Sequence, residues 1–222
     1  MTVRSRPYRS PLRAEQARDT RRRIVDAGRD LFVERGYGPT TIDAIAGRAE
    51  VSRKTVFTSV GGKSAVLKLA FDWALAGDDE PVAIADRPEV RKLMTEPDPA
   101  VLVNGWAAMS AAIAARVAAL HHVLVVAADA DPSAAALLSA VDEQRAQAAR
   151  VFLTRLRTIG GLRPSLDPDR ATAIADLLMH PLPYRRLVQL WGWTIAEYTE
   201  YLQQAAAAAL LPPGTRRPRR TR

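Results

Sequence analysis

Arg53, Lys54, Thr55 and Thr58 are the residues of this 222-residue chain best suited to meet a nucleic acid. They lie in the run RKTVFTS, where Val56 marks the inward face of a short helix and the cationic and hydroxyl-bearing side chains point elsewhere. An Arg fork can take guanine O6 and N7 together, a contact worth about 1–3 kcal/mol of discrimination. Phe57 is expected to be partly buried and partly set against a sugar or a thymine methyl. The hydroxyls of Thr40, Thr41 and Ser52 and the ammonium of Lys63 suit phosphate oxygens, which position a protein on a duplex without reading its sequence. Those hydroxyls equally suit helix capping, and the two uses are compatible.

The elements that must position these residues follow from capping and period. Thr40 is expected to cap a helix with Asp43 reaching back to it, and Ile42, Ile45 and Ala46 share one face. Ala49, Glu50 and Val51 break that period, and Ser52 opens a second short helix from Arg53 to Ser59. Two short capped helices joined by a tight turn form a helix-turn-helix unit, whose second helix enters the major groove. A longer helix from about Ala14 to Arg35 precedes it, with Ala17, Ile24, Ala27, Leu31 and Phe32 inward and Gly36 at its end.

Across about residues 18 to 70 the chain resembles the N-terminal domain of the TetR family of bacterial transcriptional regulators. Phe32, Gly36 and Tyr37, then Thr40, Thr41 and Ile42, Ile45 and Ala46, Val51 and Ser52, Thr55, Val56 and Phe57, and finally Lys63 carry that pattern. The chain departs from it at Glu50, where the family usually has Gly, and at Ser59 and Val60, where two aromatics are usual. Glu is costlier than Gly if the turn is left-handed. The resemblance implies two-fold dimers joined by their last two long helices, palindromic operators, and a ligand pocket in the C-terminal domain. The matching regions are about 168–180 and 194–210, and Leu177, Leu178, Leu187, Leu190, Tyr198, Tyr201 and Leu202 supply either that dimer face or intramolecular core. Trp106, Met109, Ile113, His121 and Phe152 either line such a pocket, for a small apolar or amphipathic ligand, or are core themselves.

Other chemistries find little purchase. Gly61-Gly62-Lys63-Ser64 ends like a phosphate-binding loop, but GxxxxGK[ST] needs Gly at 57, where Phe57 stands, and no strand precedes it. His121, His122 and His180 show no metal-ligand spacing, so no metal is expected. No nucleophile–base pair, catalytic residue or cofactor loop is evident, which leaves an all-α enzyme or carrier as an alternative without a constellation to support it. A regulator whose C-terminal domain binds another protein is a further alternative that sequence does not separate from the ligand-binding one.

Charge agrees with a phosphate-bearing partner. Residues 1–63 hold fourteen Lys and Arg against seven Asp and Glu, residues 64–211 hold thirteen against seventeen, and residues 212–222 add five Arg. Cysteine is absent, which excludes a disulfide framework and fits the cytoplasm. No apolar run approaches the roughly 18 residues that span a bilayer, so a soluble, unexported protein with no membrane partner is expected.

The pattern beyond residue 63 is helical throughout, with no strand signal. Helices are expected at about Lys63–Ala76, around Glu89–Met94, from Pro99 to about Ala128, from Pro132 to about Ile159, at about Asp169–Met179, and from a Thr194/Glu197 capping box to near Leu211. The reading is all-α: a disordered basic arm (1–12), a three-helix DNA-binding domain (13–63), a helical ligand-binding and dimerisation domain (64–211), and a disordered basic tail (212–222).

Overall fold

Thr41, rather than Thr40, opens the second helix. In the computed structural model, which describes residues 11–214, Thr41 Oγ1 accepts from the Ala44 N–H at 3.1 Å and α2 runs Ile42–Arg48. Thr40 is 1% exposed; its hydroxyl donates to the Gly36 carbonyl at 2.8 Å, with the Leu31 carbonyl 3.2 Å away. The expected Thr40 cap and its pairing with Asp43 are therefore corrected. The end of α1 presents carbonyls that need a donor, and the Thr40 hydroxyl satisfies them from inside. Of the expected arm (1–12) and tail (212–222), residues 1–10 and 215–222 lie outside the described residues, and α1 already begins at Pro11, inside the expected arm.

The first unit holds α1 (Pro11–Arg35), α2, α3 (Arg53–Ser59) and the start of α4 (Lys63–Ala76). Its core is built from Ile24, Val25, Leu31 and Phe32 of α1, Ile45 and Ala46 of α2, Val56 of α3, and Val66, Leu67, Ala70 and Phe71 of α4. Gly28 lets α1 and α4 approach closely, since a Cβ there would stand 2.3 Å from Val66 Cγ1. The chain divides between Asp72 and Trp73, within α4. That lies beyond the expected boundary at residue 63 because the first turns of α4 bury Val66 through Phe71.

The turn joining α2 to α3 is a helix C-terminal motif with its left-handed residue filled by Glu. Glu50 has φ 53°, the one positive-φ residue other than Gly among those described. Its N–H donates to the Gly47 carbonyl at 3.3 Å, and the Val51 N–H donates to the Ala46 carbonyl at 3.0 Å. These two bonds satisfy carbonyls that the end of α2 leaves open. Ser52 then caps α3, accepting from the Thr55 N–H at 3.0 Å.

The second unit begins at Trp73. A 3₁₀ turn (Ile84–Asp86) leads into α5 (Pro88–Met94), followed by α6 (Pro99–Ala128), α7 (Pro132–Thr158), α8 (Pro168–Met179), α9 (Pro181–Tyr184) and α10 (Ile195–Leu210). Three of these helices start with the same dipeptide. Asp98, Asp131 and Asp167 each accept from two backbone N–H groups, and the following Pro occupies a position whose missing N–H costs nothing. Thr194 and Glu197 form the expected reciprocal capping box at α10. No strand occurs among the described residues.

Helix α6 is apolar nearly all round, as a central helix must be; it packs against α5, α7, α8, α9 and α10. The expectation that no segment reaches bilayer length is corrected, since α6 is long and apolar enough to cross a membrane, and half of its most apolar window is buried inside the protein. Asn104, Ser110, Arg116, His121 and His122 interrupt the run in sequence without making the helix polar. Sequence also missed α9 and the π-helical turn that continues it, Arg185–Leu190. Pro181, Pro183, Arg185 and Arg186 break any helical period there.

Two outcomes test this packing by chemical denaturation. Gly28→Ala is expected to lose about 1–3 kcal/mol of stability, because the added methyl forces Val66 out of place. Glu50→Gly is expected to gain roughly 1 kcal/mol, because Gly occupies the left-handed region without a Cβ penalty.

Candidate nucleic-acid interface and ligand cavity

Helix α3 turns only Val56 fully inward, which leaves Arg53, Lys54, Phe57 and Thr58 exposed and Thr55 half-buried. Arg53 is held in place within this face. Its Nη1 donates to Asp43 Oδ2 at 2.7 Å, and its guanidinium carbon lies 5.7 Å from the Phe57 ring centroid. Both partners are solvent-exposed, so neither contact contributes more than a fraction of a kcal/mol. Asp43 can yield the guanidinium to a stronger acceptor at little cost. Phe57 is 47% exposed, so one edge of its ring is open, as expected.

The hydroxyls are less free than their residue types suggest. Ser52 Oγ lies 2.8 Å from Thr55 Oγ1, and Thr58 Oγ1 donates back to the Lys54 carbonyl at 3.1 Å. Thr41 is exposed and caps α2. Thr40 is buried and leaves the set of side chains that could touch a phosphate. Lys63 departs from expectation too: its Nζ donates to the Tyr37 carbonyl at 3.1 Å and stands 4.1 Å from the Tyr37 ring centroid. It fastens the loop after α1 to the head of α4.

Two further cations that sequence did not single out brace the unit from α1. Arg21 donates to the Ser59 carbonyl at 3.2 Å, at the end of α3, and Arg23 donates to the Ala49 carbonyl at 3.2 Å, at the end of α2. A cation at a helix C-terminus meets both open carbonyls and the negative end of the dipole. Both helices of the pair are thus tied to α1.

In the second unit, the expected pocket residues separate. Trp106 and Phe152 stack on each other, centroids 4.2 Å apart and planes 9° from parallel, and both are buried in the core. Met109 packs against that core and Ile113 is half-buried. His121 alone of the five borders a cavity in the second unit. That cavity, about 270 Å³, lies between α6, α7 and α9 and is lined by Ala118, His121, His122, Val125, Leu138, Asp142, His180, Pro181, Leu182 and Arg185.

Polar groups cluster on one wall of it. His121, Asp142 and His180, remote in sequence, present ligand-type atoms all within 4.8 Å of one another. The imidazoles of His121 and His180 meet edge to face at 4.9 Å. Asp142 accepts from Arg145 at 2.8 Å, and Arg145 also donates to Asp176 at 2.8 Å. Burial lowers His121 to about 4 and also pulls His180 down, so both rings are neutral at pH 7. The His121 Nε2 is buried without a hydrogen-bond partner. No spacing rule finds this group in the sequence, because α6, α7 and the junction between α8 and α9 each supply one member.

The expected dimer residues also divide. Tyr198 and Leu202 are core, and Leu178 and Leu187 are half-buried against it. Leu177, Leu190 and Tyr201 are exposed, joined by Ile195 and by Trp191, which is 74% exposed.

Residues 24–70 match the family model described as bacterial regulatory proteins, tetR family. Over 77 residues the chain is 35% identical to an uncharacterized HTH-type transcriptional regulator, TtgW, of Pseudomonas putida. That match covers 35% of this chain and 54% of the relative, so the chain spans about half the length of the curated relative it matches. The fold extends the likeness. A complex of SmeT, from Stenotrophomonas maltophilia, with triclosan superposes with TM-score 0.63 at 19% identity, covering 91% of this chain and 99% of that one. A Saccharomonospora viridis protein in complex with choline superposes with TM-score 0.65 at 17% identity, covering 88% and 99%. Residues 24–70 thus carry a helix-turn-helix domain of the kind found in bacterial regulatory proteins of the tetR family, ahead of a helical domain that shares its fold with those structures.

Proposed function

We propose that this protein is a sequence-specific DNA-binding regulator that acts as a homodimer on a palindromic operator and is released by a small-molecule ligand. The observation that carries the reading is the outward face of α3. Arg53, Lys54, Phe57 and Thr58 stand clear of the core on a capped helix, in the segment of the chain where positive charge is concentrated. Asp43 and Phe57 hold the Arg53 fork extended and ready for a guanine edge, which reduces the side-chain entropy lost on contact. Lys54 adds charge for phosphates, and Thr41 and Ser52 stand at helix N-termini where phosphate oxygens are met.

Dimerisation follows from the exposed apolar side chains of the last helices. Leu177, Leu190, Trp191, Ile195 and Tyr201 are numerous for a monomer surface, and a two-fold contact through them would pair two chains, as a two-fold operator requires. The cavity beside α9 supplies the ligand site, since its lining mixes aliphatic side chains with His, Asp and Arg, which suits an amphipathic small molecule. SmeT with triclosan and the S. viridis protein with choline show the same fold holding such molecules. A ligand that favours a dimer spacing unsuited to DNA weakens operator binding, and the operator weakens ligand binding equally. The protein would work in the cytoplasm, where the operator is.

Selection of bound duplexes from a random pool at physiological salt tests the reading: a palindrome with two half-sites is expected, and recovery of no preferred sequence would sink it. On the recovered operator, Arg53→Ala is expected to weaken binding by about 1–3 kcal/mol in fluorescence anisotropy while barely changing affinity for random duplex. Equal losses on both duplexes would remove Arg53 from base reading. Leu190→Asp with Trp191→Asp is expected to convert a dimer to a monomer in sedimentation equilibrium, and an unchanged dimer would move the interface elsewhere.

A further inference from the structure

We propose that His121, Asp142 and His180 form a binding site for a first-row divalent cation of the zinc class, and that its occupation releases the N-terminal cap of α9. Two imidazoles and one carboxylate are a complete protein ligand set for zinc with an open fourth position, and they are borderline donors of the kind such cations prefer. Their ligand-type atoms stand within 4.8 Å of one another. Tetrahedral zinc, with bonds of about 2.0–2.1 Å, needs about 3.4 Å between ligand atoms, a contraction that side-chain rotation supplies.

A second observation points to a missing ligand. His121 is 5% exposed, it borders the cavity, and its Nε2 has no hydrogen-bond partner. A buried polar atom left unpaired carries a desolvation cost unless something binds it. The support around the group is that of a metal site. Arg145 donates to one oxygen of Asp142, Oδ1, and leaves the other for a cation, while Asp176 balances the Arg145 charge. The adjoining cavity of about 270 Å³ leaves room for water or an organic ligand at the open position.

The consequence for α9 follows from proton accounting. His180 caps that helix by accepting the Leu182 N–H on Nδ1 at 3.1 Å. A neutral imidazole has one ring nitrogen with a lone pair and one with a proton. If the cation takes Nδ1, the lone pair is spent. If it takes Nε2, the proton sits on Nδ1, which then cannot accept. Either route ends the bond to Leu182, so the filled site and the capped α9 exclude each other. Because α9 continues directly into the π-helical turn Arg185–Leu190 that precedes α10, the site bears on the segment carrying Leu190 and Trp191.

Chelator-treated full-length protein should be titrated with Zn²⁺ by calorimetry and with Co²⁺ by visible absorption, with amide hydrogen exchange followed in parallel. One equivalent per chain is expected, with the absorption of four-coordinate Co²⁺. His121→Ala, Asp142→Asn and His180→Gln should each weaken binding at least tenfold, whereas His122→Ala, on the neighbouring helix position, should not. The Leu182 amide should exchange faster with Zn²⁺ bound. Absence of binding, or wild-type affinity in the three variants, would overturn the site, and an unchanged Leu182 rate would overturn the release. Circular dichroism of each variant separates a lost ligand from a lost fold, and Asp142→Glu, which keeps the donor, should restore part of the affinity. None of these measurements involves DNA, so their failure leaves the regulator reading untouched, and the reverse holds as well.

Discussion

The position of α3 depends on one left-handed residue. With Glu50 at φ 53°, the chain leaves α2 through two backbone hydrogen bonds and re-enters a helix at Ser52 within a few residues. A right-handed Glu50 would continue α2 and carry Arg53 and Phe57 to a different face. The cost of holding Glu there, roughly 1–2 kcal/mol, is offset by contacts that make sense only with the turn in place. Arg23 on the Ala49 carbonyl, Arg21 on the Ser59 carbonyl and Arg53 on Asp43 each bridge elements that this turn brings to a fixed angle.

The same arginines explain how a basic segment keeps the outward face of α3 open. Of the cations in the first unit, Arg21 and Arg23 neutralise helix C-termini, Arg48 pairs with Glu34 at 2.7 Å, and Lys63 lies on Tyr37. Those charges contribute to the field that draws in a polyanion but are not positioned to read it. Arg53 and Lys54 remain on the outward surface, and Arg53 is restrained only by exposed partners. Net charge therefore marks the segment, and burial and pairing mark which cations within it stand clear of the protein's own groups.

Much of the helical layout was legible in the sequence because its signals are local. Pro99, Pro132 and the Thr194/Glu197 box each mark a first turn within four residues, and the structure opens helices at all of them, while the helix expected from about Asp169 opens slightly earlier, at Asp167-Pro168. Thr40 and Thr41 were not separable, since both are hydroxyl residues ahead of the same helix and only the carbonyl of Gly36, reached through the tertiary turn, decides which of them caps. The α9 segment was hidden for a related reason. Its helix is short, proline-bearing and continued as a π-helix, and the buried Pro181 rather than any 3.6 period holds it.

The cavity illustrates why apolar bulk is a poor guide to a ligand site. Trp106 and Phe152 are large, aromatic and near the centre of the second unit, and for those reasons they stack on each other and close the space between α6 and α7. The open volume lies further along α6, where small and polar residues leave gaps: Ala118 fills little, and His121, Asp142 and His180 keep their polar atoms apart from the aliphatic core. Close packing removes space wherever apolar surfaces can meet, so space persists where polar groups need a partner that the protein does not itself supply. His121 is the one residue common to the expected pocket and the observed cavity. It lies where the apolar surface of α6 ends and a group of polar side chains begins, with its own Nε2 unpaired, which is the boundary an amphipathic ligand would straddle.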